Sequence, residues 1–399
     1  MEANANKIKV LRVIARLNIG GPAIHTILLT HYLNEDFETR LVVGNVSEGE
    51  ESMDYMLEKY NIKPYYLKDL KRELSITEDI NTVFSIYNII REFKPDIVHT
   101  HTAKAGAVGR SAVILYNLLH AKFGKHRIRV IHTFHGHVFK GYFNKIATAV
   151  FIWIERILAI FTDRIIAVSD ALKYELVNIY RIASNKKIKV VYNGYDLNTF
   201  LAVETSSHAQ KKTINITTVG RLVPIKGHKF LIKAFNLLNS RAQLTIVGDG
   251  VLKEELIKMT KELGLSDRVR FMGYAKDMIS VYRNTDILVL SSLNEGAPVV
   301  IIEALACAKP VVATDVGGVR DLLGKRLSSI SDGAFLCERG ILVLPESIQP
   351  IATAIDYLVN NPEISYKIAN NGREFVKSLF NVDRLIEDIK RLYKEVLLQ

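Results

Sequence analysis

"ILVLSSLNEGAPVVIIEALACAKPVVATDVGG" runs from Ile287 to Gly318 and decides the fold. It opens with four apolar residues, Ile287–Leu290, and passes through a loop holding Gly296 and Pro298. A helix-length apolar segment follows, and Pro310–Ala313 closes the unit as a second short apolar run. Short runs that are apolar on both faces, separated by a helix, are how a covered parallel sheet reads in sequence. Two carboxylates interrupt the pattern. Glu295 lies in the loop, and Glu303 follows eight residues later among Ile301, Ile302, Ala304 and Leu305. Pro298 suits a helix start, which places Glu303 roughly one and a half turns in. A carboxylate in that setting needs a partner, or burial raises its pKa and removes its charge. A ligand with paired hydroxyls, such as a ribose, would serve.

The same rhythm extends in both directions. Upstream, Ile8–Ala15, Arg40–Val43, Asp96–Thr100, Val130–Phe134, Arg164–Val168 and Lys187–Tyr192 read as strands, with helices over Pro22–Leu33 and Ile80–Phe93. Asn198–Thr213 is polar and aperiodic and reads as a linker. Beyond it Ile214–Val219, Gln243–Val247, Val269–Met272 and Gly340–Leu344 read as strands, with helices over His228–Leu238 and around Leu252–Leu263. The tail from Ile351 to Leu398 has helical periodicity. The chain is therefore expected to be α/β, with two doubly wound domains facing across a cleft and ligands at the carboxyl ends of the strands.

Composition agrees. A chain of 399 residues exceeds one ordinary core, and 48% hydrophobic with 24% charged residues is globular. The two cysteines, Cys307 and Cys337, form no metal-binding pair, which fits a reducing compartment. A net charge of +11 suits an anionic partner, although no nucleic-acid-binding motif is present. The start of the chain lacks the apolar core of a signal peptide, so a cytoplasmic protein is expected. The nine-residue, mostly apolar run Ile146–Ile154 is too short to span a bilayer, which needs about 20.

Three further strand-end loops carry candidate chemistry. Gly20 and Gly21 precede Pro22 and permit positive φ, close backbone approach and an oxyanion at the helix start; a tight turn explains them as well. His135 and His137 flank a glycine after the strand ending at Phe134. A neutral imidazole there could donate to a sugar hydroxyl or be structural, and a metal role would need further ligands. Gly220-Arg221 and Lys226 lie between the first strand and first helix of the second half, where two cations could neutralise a diphosphate or form a surface pair.

These motifs together resemble the family 4 retaining glycosyltransferases of the GT-B fold. The resemblance covers nearly the whole chain. It rests on Glu-x7-Glu at Glu295 and Glu303, on VGRLVPIKG, RIIAVSDALKYEL and VVYNGYD, and on VRFMGY and GILV. It implies an acceptor-side Rossmann-like domain over residues 1–197, a linker over 198–213 and a nucleotide-sugar domain over 214–375. Residues 376–399 would form a helix returning to the first domain. Glu303 would bind the ribose of the donor. Glu295, with the following loop of Gly296, Ala297, Pro298 and Val299 and its free N–H groups, would bind the donor sugar. Gly220, Arg221 and Lys226, helped by Gly20 and Gly21, would hold the diphosphate. Met272, Gly273 and Tyr274 would face the base, and His135 would contact the transferred sugar. His135, Arg221, Lys226 and Glu295 are the catalytic candidates. Two departures stand out: Ala308 occupies a place where the family usually has glycine, and Ala297-Pro298 replaces a bulky residue plus glycine.

The implied reaction moves a hexosyl group from a nucleotide diphosphate sugar, a UDP-sugar by expectation, to an acceptor hydroxyl with retention. No D-x-D pair occurs in the chain, so no metal and no other cofactor is expected. A sugar or lipid-linked acceptor is implied, in polysaccharide or glycolipid assembly. Tyr142–Phe161 is apolar and carries Trp153; it reads as a core helix or as one resting on the inner face of a membrane. The rival functions are a GT-B-fold UDP-sugar 2-epimerase and a binding module without turnover.

Overall fold

A computed structural model describes residues 7–18, 20–33, 36–46, 52–71, 73, 75–120, 127–136, 145–204, 213–238 and 242–399. The chain divides into two compact units, Met1–Tyr195 with Val382–Gln399, and Asp196–Asn381.

The first unit is built on seven parallel strands: β1 (Ile8–Ile14), β2 (Phe37–Gly44), β3 (Tyr65–Leu67), β4 (Ile97–His101), β5 (Arg129–Phe134), β6 (Arg164–Ala167) and β7 (Ile188–Val190). Their order is β3-β2-β1-β4-β5-β6-β7. β1, β4 and β5 are buried along most of their length, as the unalternated apolar runs imply. β3, partly exposed and only three residues long, gives no such signal.

The terminal helix Val382–Leu397 belongs to this unit and buries Leu385, Ile389, Leu392 and Val396 against Val10, Ile97 and Ile131. Its Tyr393 hydroxyl reaches the sheet, 2.7 Å from His99 Nδ1 and 3.3 Å from the Arg12 guanidinium that donates to it.

The second unit holds β8 (Ile214–Val219), β9 (Ala242–Val247), β10 (Val269–Gly273), β11 (Ile287–Leu290), β12 (Val311–Thr314), β13 (Arg326–Ser331), β14 (Ala334–Cys337) and β15 (Gly340–Val343). The order is β10-β9-β8-β11-β12-β15-β14-β13, parallel through β15 and antiparallel for the last two strands. The β13–β14 hairpin is absent from the sequence reading. Arg326–Ser331 is mostly exposed and polar, so it lacks the apolar pattern on which that reading relied.

Three other expectations need correction. Part of the stretch read as linker is ordered: Asn198–Leu201 is helical, Val203 is buried, and Arg373 donates to the carbonyls of Leu201 and Val203. Residues 205–212 lie outside the described residues. The tail is three helices, Gln349–Asn360, Pro362–Leu379 and Val382–Leu397; the first break falls at Asn361-Pro362, where proline cannot continue the preceding helix.

The apolar helix Lys145–Ile160 is core on one face only. Its Glu155 is buried and receives both bonds from Arg110 Nη2, at 2.8 and 2.7 Å, which ties it to the helix Ala103–His120. Ile146, Val150, Trp153, Ile154, Ile157 and Ile160 recur at helical spacing and are exposed. Residues 142–144 of that stretch lie outside the described residues.

The helix Val299–Ala306 carries Glu303. Gly372 allows the helix Pro362–Leu379 to approach it closely, since a Cβ there would lie 2.4 Å from Leu305 Cδ2. The helix ends in a Schellman motif, with Lys309 N donating to Ala304 O and Ala308 N to Leu305 O. Ala308 accordingly takes φ 48°, left-handed backbone that disfavours any residue with a Cβ. Ala308→Gly should therefore stabilise the fold by about 1 kcal/mol. Denaturant unfolding measures this; an unchanged or lower midpoint would refute the strain.

Candidate active site

In the second unit the loops after β8 and β11 are pinned together. Leu293 N donates to Ile225 O at 2.7 Å, and Ser291 Oγ to Lys226 O at 3.3 Å. Gly227 sits at φ 63°, and a Cβ on it would lie 2.1 Å from Ser291 O, so only glycine permits the approach. The approach brings Lys226 Nζ to 2.6 Å from Glu295 Oε1, an oxygen that also accepts from Ser292 Oγ at 2.6 Å. Glu295 is 9% exposed and Lys226 22% at their side chains, so this ion pair is largely shielded from water.

Arg221 is exposed and makes no ion pair among the described residues. Its carbonyl lies 3.2 Å from His228 Nε2, and burial lowers the His228 pKa to about 4. His228 is thus a neutral strut for the loop, and sequence reasoning passed over it. Gly317 and Gly318 were passed over too: Gly318 N donates to Gly296 O at 2.9 Å, and a Cβ on Gly317 would lie 1.7 Å from Glu295 O. They fix the loop that carries Glu295, Gly296 and Ala297. Pro298 is the residue before the first helical position, Val299.

Glu303 has the partner that the sequence did not reveal. Tyr282, fully buried, donates its hydroxyl to Glu303 Oε2 at 2.8 Å and to Val300 O at 3.2 Å. Burial raises the Glu303 pKa to about 7, and the Tyr282 hydrogen bond opposes that rise. Glu303 is neither fully buried nor free, and among the described residues only Tyr282 bonds to its side chain. Toward the sheet edge, Gly220 N donates to Val247 O and Gly248 N to Gly273 O, which ties the ends of β8, β9 and β10 together. Gly273 takes φ 73°, and Met272 and Tyr274 beside it are exposed.

In the first unit Gly20 is extended, at φ 159°, and Gly21 opens the helix. The φ of Gly20 is thus positive, as the sequence allowed, and a Cβ on it would meet only Pro22 Cδ, at 3.8 Å. His135 follows β5 and joins two histidines that sequence reading missed, His25 in the helix Gly21–Tyr32 and His101 at the end of β4. His101 Nδ1 and His135 Nε2 are 3.0 Å apart. Burial holds His25 and His101 well below the usual imidazole range and His135 at about 3. All three are neutral at physiological pH. His137 lies outside the described residues.

Residues 203–375 match the family "glycosyl transferases group 1", and residues 19–199 match "glycosyltransferase family 4". The chain belongs to the family 4 glycosyltransferases. It is an enzyme of the hexosyltransferase class. An Escherichia coli relative, UDP-Gal:alpha-D-GlcNAc-diphosphoundecaprenol alpha-1,3-galactosyltransferase, is 26% identical over 98% of both chains. The Staphylococcus aureus capsular polysaccharide biosynthesis glycosyltransferase CapM is 27% identical, covering 88% of this chain and 89% of its own. Anabaena HepE, solved in complex with UDP, superposes with a TM-score of 0.75 at 22% identity, over 98% of this chain and all of HepE. The likeness establishes the GT-B fold of this glycosyltransferase.

Proposed function

We propose that this glycosyltransferase moves a hexosyl group, with retention, from a UDP-sugar to a hydroxyl of a lipid-linked acceptor at the cytoplasmic face of a membrane. The observation that carries the reading is the shielded Lys226–Glu295 pair in the loop after β8, which also carries Arg221, a cation with no ion pair among the described residues. Lys226 has two further N–H donors for a diphosphate, and Glu295 has a second oxygen for a sugar hydroxyl. Glu303 accepts from the ribose, and Met272–Tyr274 meet the base. Gly20 and Gly21 leave the start of their helix open to an anion, and His135 contacts the transferred sugar. As the sugar departs, the diphosphate gains negative charge, and Arg221 and Lys226 stabilise it where a divalent ion would act in an enzyme built on a D-x-D pair. The E. coli relative is named for a UDP-sugar donor and a diphosphate-lipid acceptor, which supports this substrate class. UDP- and GDP-sugars supplied with and without membrane extract test the reading. Label transferred to lipid supports it; free epimer, or binding without turnover, would overturn it.

Contact with the bilayer is assigned to the exposed stripe of Lys145–Ile160. No helix among the described residues is long and apolar enough to cross a membrane. Trp153, 63% exposed and on the same face as Ile157 and Ile160, suits the interfacial plane instead, and the Arg156 guanidinium, held by the Tyr180 carbonyl, lies 5.6 Å from the Trp153 ring centre. Trp153→Glu with Ile157→Glu should weaken binding to phosphatidylglycerol vesicles roughly a hundredfold by loss of buried apolar area and added repulsion. Flotation assays read this, and undiminished binding would remove the stripe from the account.

A further inference from the structure

His25, His101 and His135 converge from three separate elements of the first unit, and one nitrogen from each lies within 4.8 Å of the others. Their ring centres are 5.0, 5.3 and 5.7 Å apart. An imidazole nitrogen about 2.0–2.1 Å from Zn2+ puts its ring centre about 3.2 Å from the ion, and a tetrahedral angle then separates two such centres by about 5.2 Å. The triangle of rings already has that size. Ligating nitrogens on one such ion lie about 3.3 Å apart; His101 Nδ1 and His135 Nε2 stand at 3.0 Å.

The cluster is also short of partners. Among the described residues, both nitrogens of His25, Nε2 of His101 and Nδ1 of His135 are buried with no hydrogen bond. Each buried polar atom left unbonded costs about 1–3 kcal/mol, so something is expected to complete the group. The three rings offer lone pairs, with His101 and His135 sharing a single proton between the facing nitrogens. His99, on the same strand as His101, shows the contrast, being satisfied at both nitrogens by the Tyr393 and Thr133 hydroxyls, whereas His132 bonds Thr100 through Nδ1 and leaves Nε2 unbonded among the described residues.

We propose that His25, His101 and His135 form a binding site for a borderline divalent ion of the zinc class, with a fourth position left for water or another ligand. Three neutral imidazoles are the donor set that such ions prefer, whereas the magnesium or manganese of a D-x-D site takes oxygen ligands. The site is therefore independent of any metal at the diphosphate. Binding moves the proton between His101 Nδ1 and His135 Nε2 to the outer nitrogen of the ring that carries it, so all three imidazoles stay neutral and no net proton is released. With Nε2 on the ion, the remaining proton of His135 is fixed on Nδ1 as a donor of defined tautomer.

The test uses full-length, tag-free protein stripped with chelator and titrated with Co2+. One equivalent should produce the visible absorption bands of a four- or five-coordinate site, and Zn2+ should abolish them. His25→Ala and His101→Ala should each lose the bands at that concentration, while His120→Ala keeps them. X-ray absorption on the zinc-loaded wild type should report three imidazole ligands, a readout that does not depend on any variant folding. No stoichiometric uptake, uptake that survives the His25→Ala/His101→Ala double substitution, or fewer than three imidazoles on the ion would overturn the site.

Discussion

Replacing Glu303 by Gln is expected to make the protein more stable and to weaken its hold on the nucleotide. Glu303 has its pKa raised from 4.5 to about 7 by burial. The folded state therefore keeps a proton, between those two values, that the unfolded state has released. Stability falls as pH rises through that window and is level above it. The full shift is worth about 3 kcal/mol; the side chain retains some contact with solvent, and about 2 kcal/mol is the fair expectation. Glu303→Gln removes that penalty, so the variant should gain about 2 kcal/mol at pH 8 and almost nothing at about pH 4, where the wild-type carboxyl is mostly protonated in both the folded and the unfolded state. Nucleotide binding runs the other way. The ionised carboxylate accepts from ribose hydroxyls, and a charged hydrogen bond is worth about 1.5–3 kcal/mol, so the variant should bind UDP roughly ten- to a hundredfold more weakly. Wild-type affinity should also fall as pH drops below 7. Calorimetric titration with UDP at pH 6 and pH 8, beside denaturant unfolding, reads both effects. Equal UDP affinity in both proteins at pH 8 would take the ribose away from Glu303. Tyr282→Phe sharpens the test: without the hydroxyl that opposes the rise in pKa, the midpoint of the wild-type pH dependence should move upward.

The fold was legible because its strands are apolar on both faces. Ile287–Leu290 and Val311–Thr314 are buried at every residue, and the loop and helix between them hold the two glutamates. Elements without that burial were not legible. β3 is only three residues long with no fully buried position, and β13 is exposed at four of its six, so neither carries the buried apolar run that marks the other strands. The helix Lys145–Ile160 misled for the opposite reason. Its apolar residues outnumber what its buried face needs, and the buried face is anchored by a charge, Glu155, which periodicity would assign to solvent.

The site divided along similar lines. Residues on a loop with a recognisable spacing, such as Arg221, Lys226 and Glu295, could be singled out as candidates from the sequence. Residues that act across the sheet were not. Tyr282 lies 21 positions from Glu303, and His101 lies 34 from His135. Register brings His101 beside Thr133, one strand over from its own, and no window along the chain contains that fact. The only hint was the count of histidines following the β4 and β5 patterns, His99, His101, His132 and His135, which is high for buried strands.

Lys226→Ala should lower the rate of sugar transfer about a hundredfold or more, the loss seen when one preorganised donor to a developing anion is removed. Two effects combine. The departing diphosphate loses a cation, and Glu295, only 9% exposed, is left with Ser292 alone to satisfy its charge. The second effect predicts how the substitutions combine. Glu295→Ala by itself frees Lys226 and removes a contact to the sugar; adding Lys226→Ala then costs less than it does in the wild type, because no stranded carboxylate remains. The double variant should therefore fall well short of the product of the single losses, as expected for residues acting as a unit. Arg221→Ala, by contrast, breaks no ion pair among the described residues, so its loss should multiply with that of Glu295→Ala. Single-turnover transfer with saturating donor separates these cases, since it reports the chemical step rather than binding. A Lys226→Ala enzyme with an unchanged single-turnover rate would mean that the ammonium serves only to hold Glu295 in place.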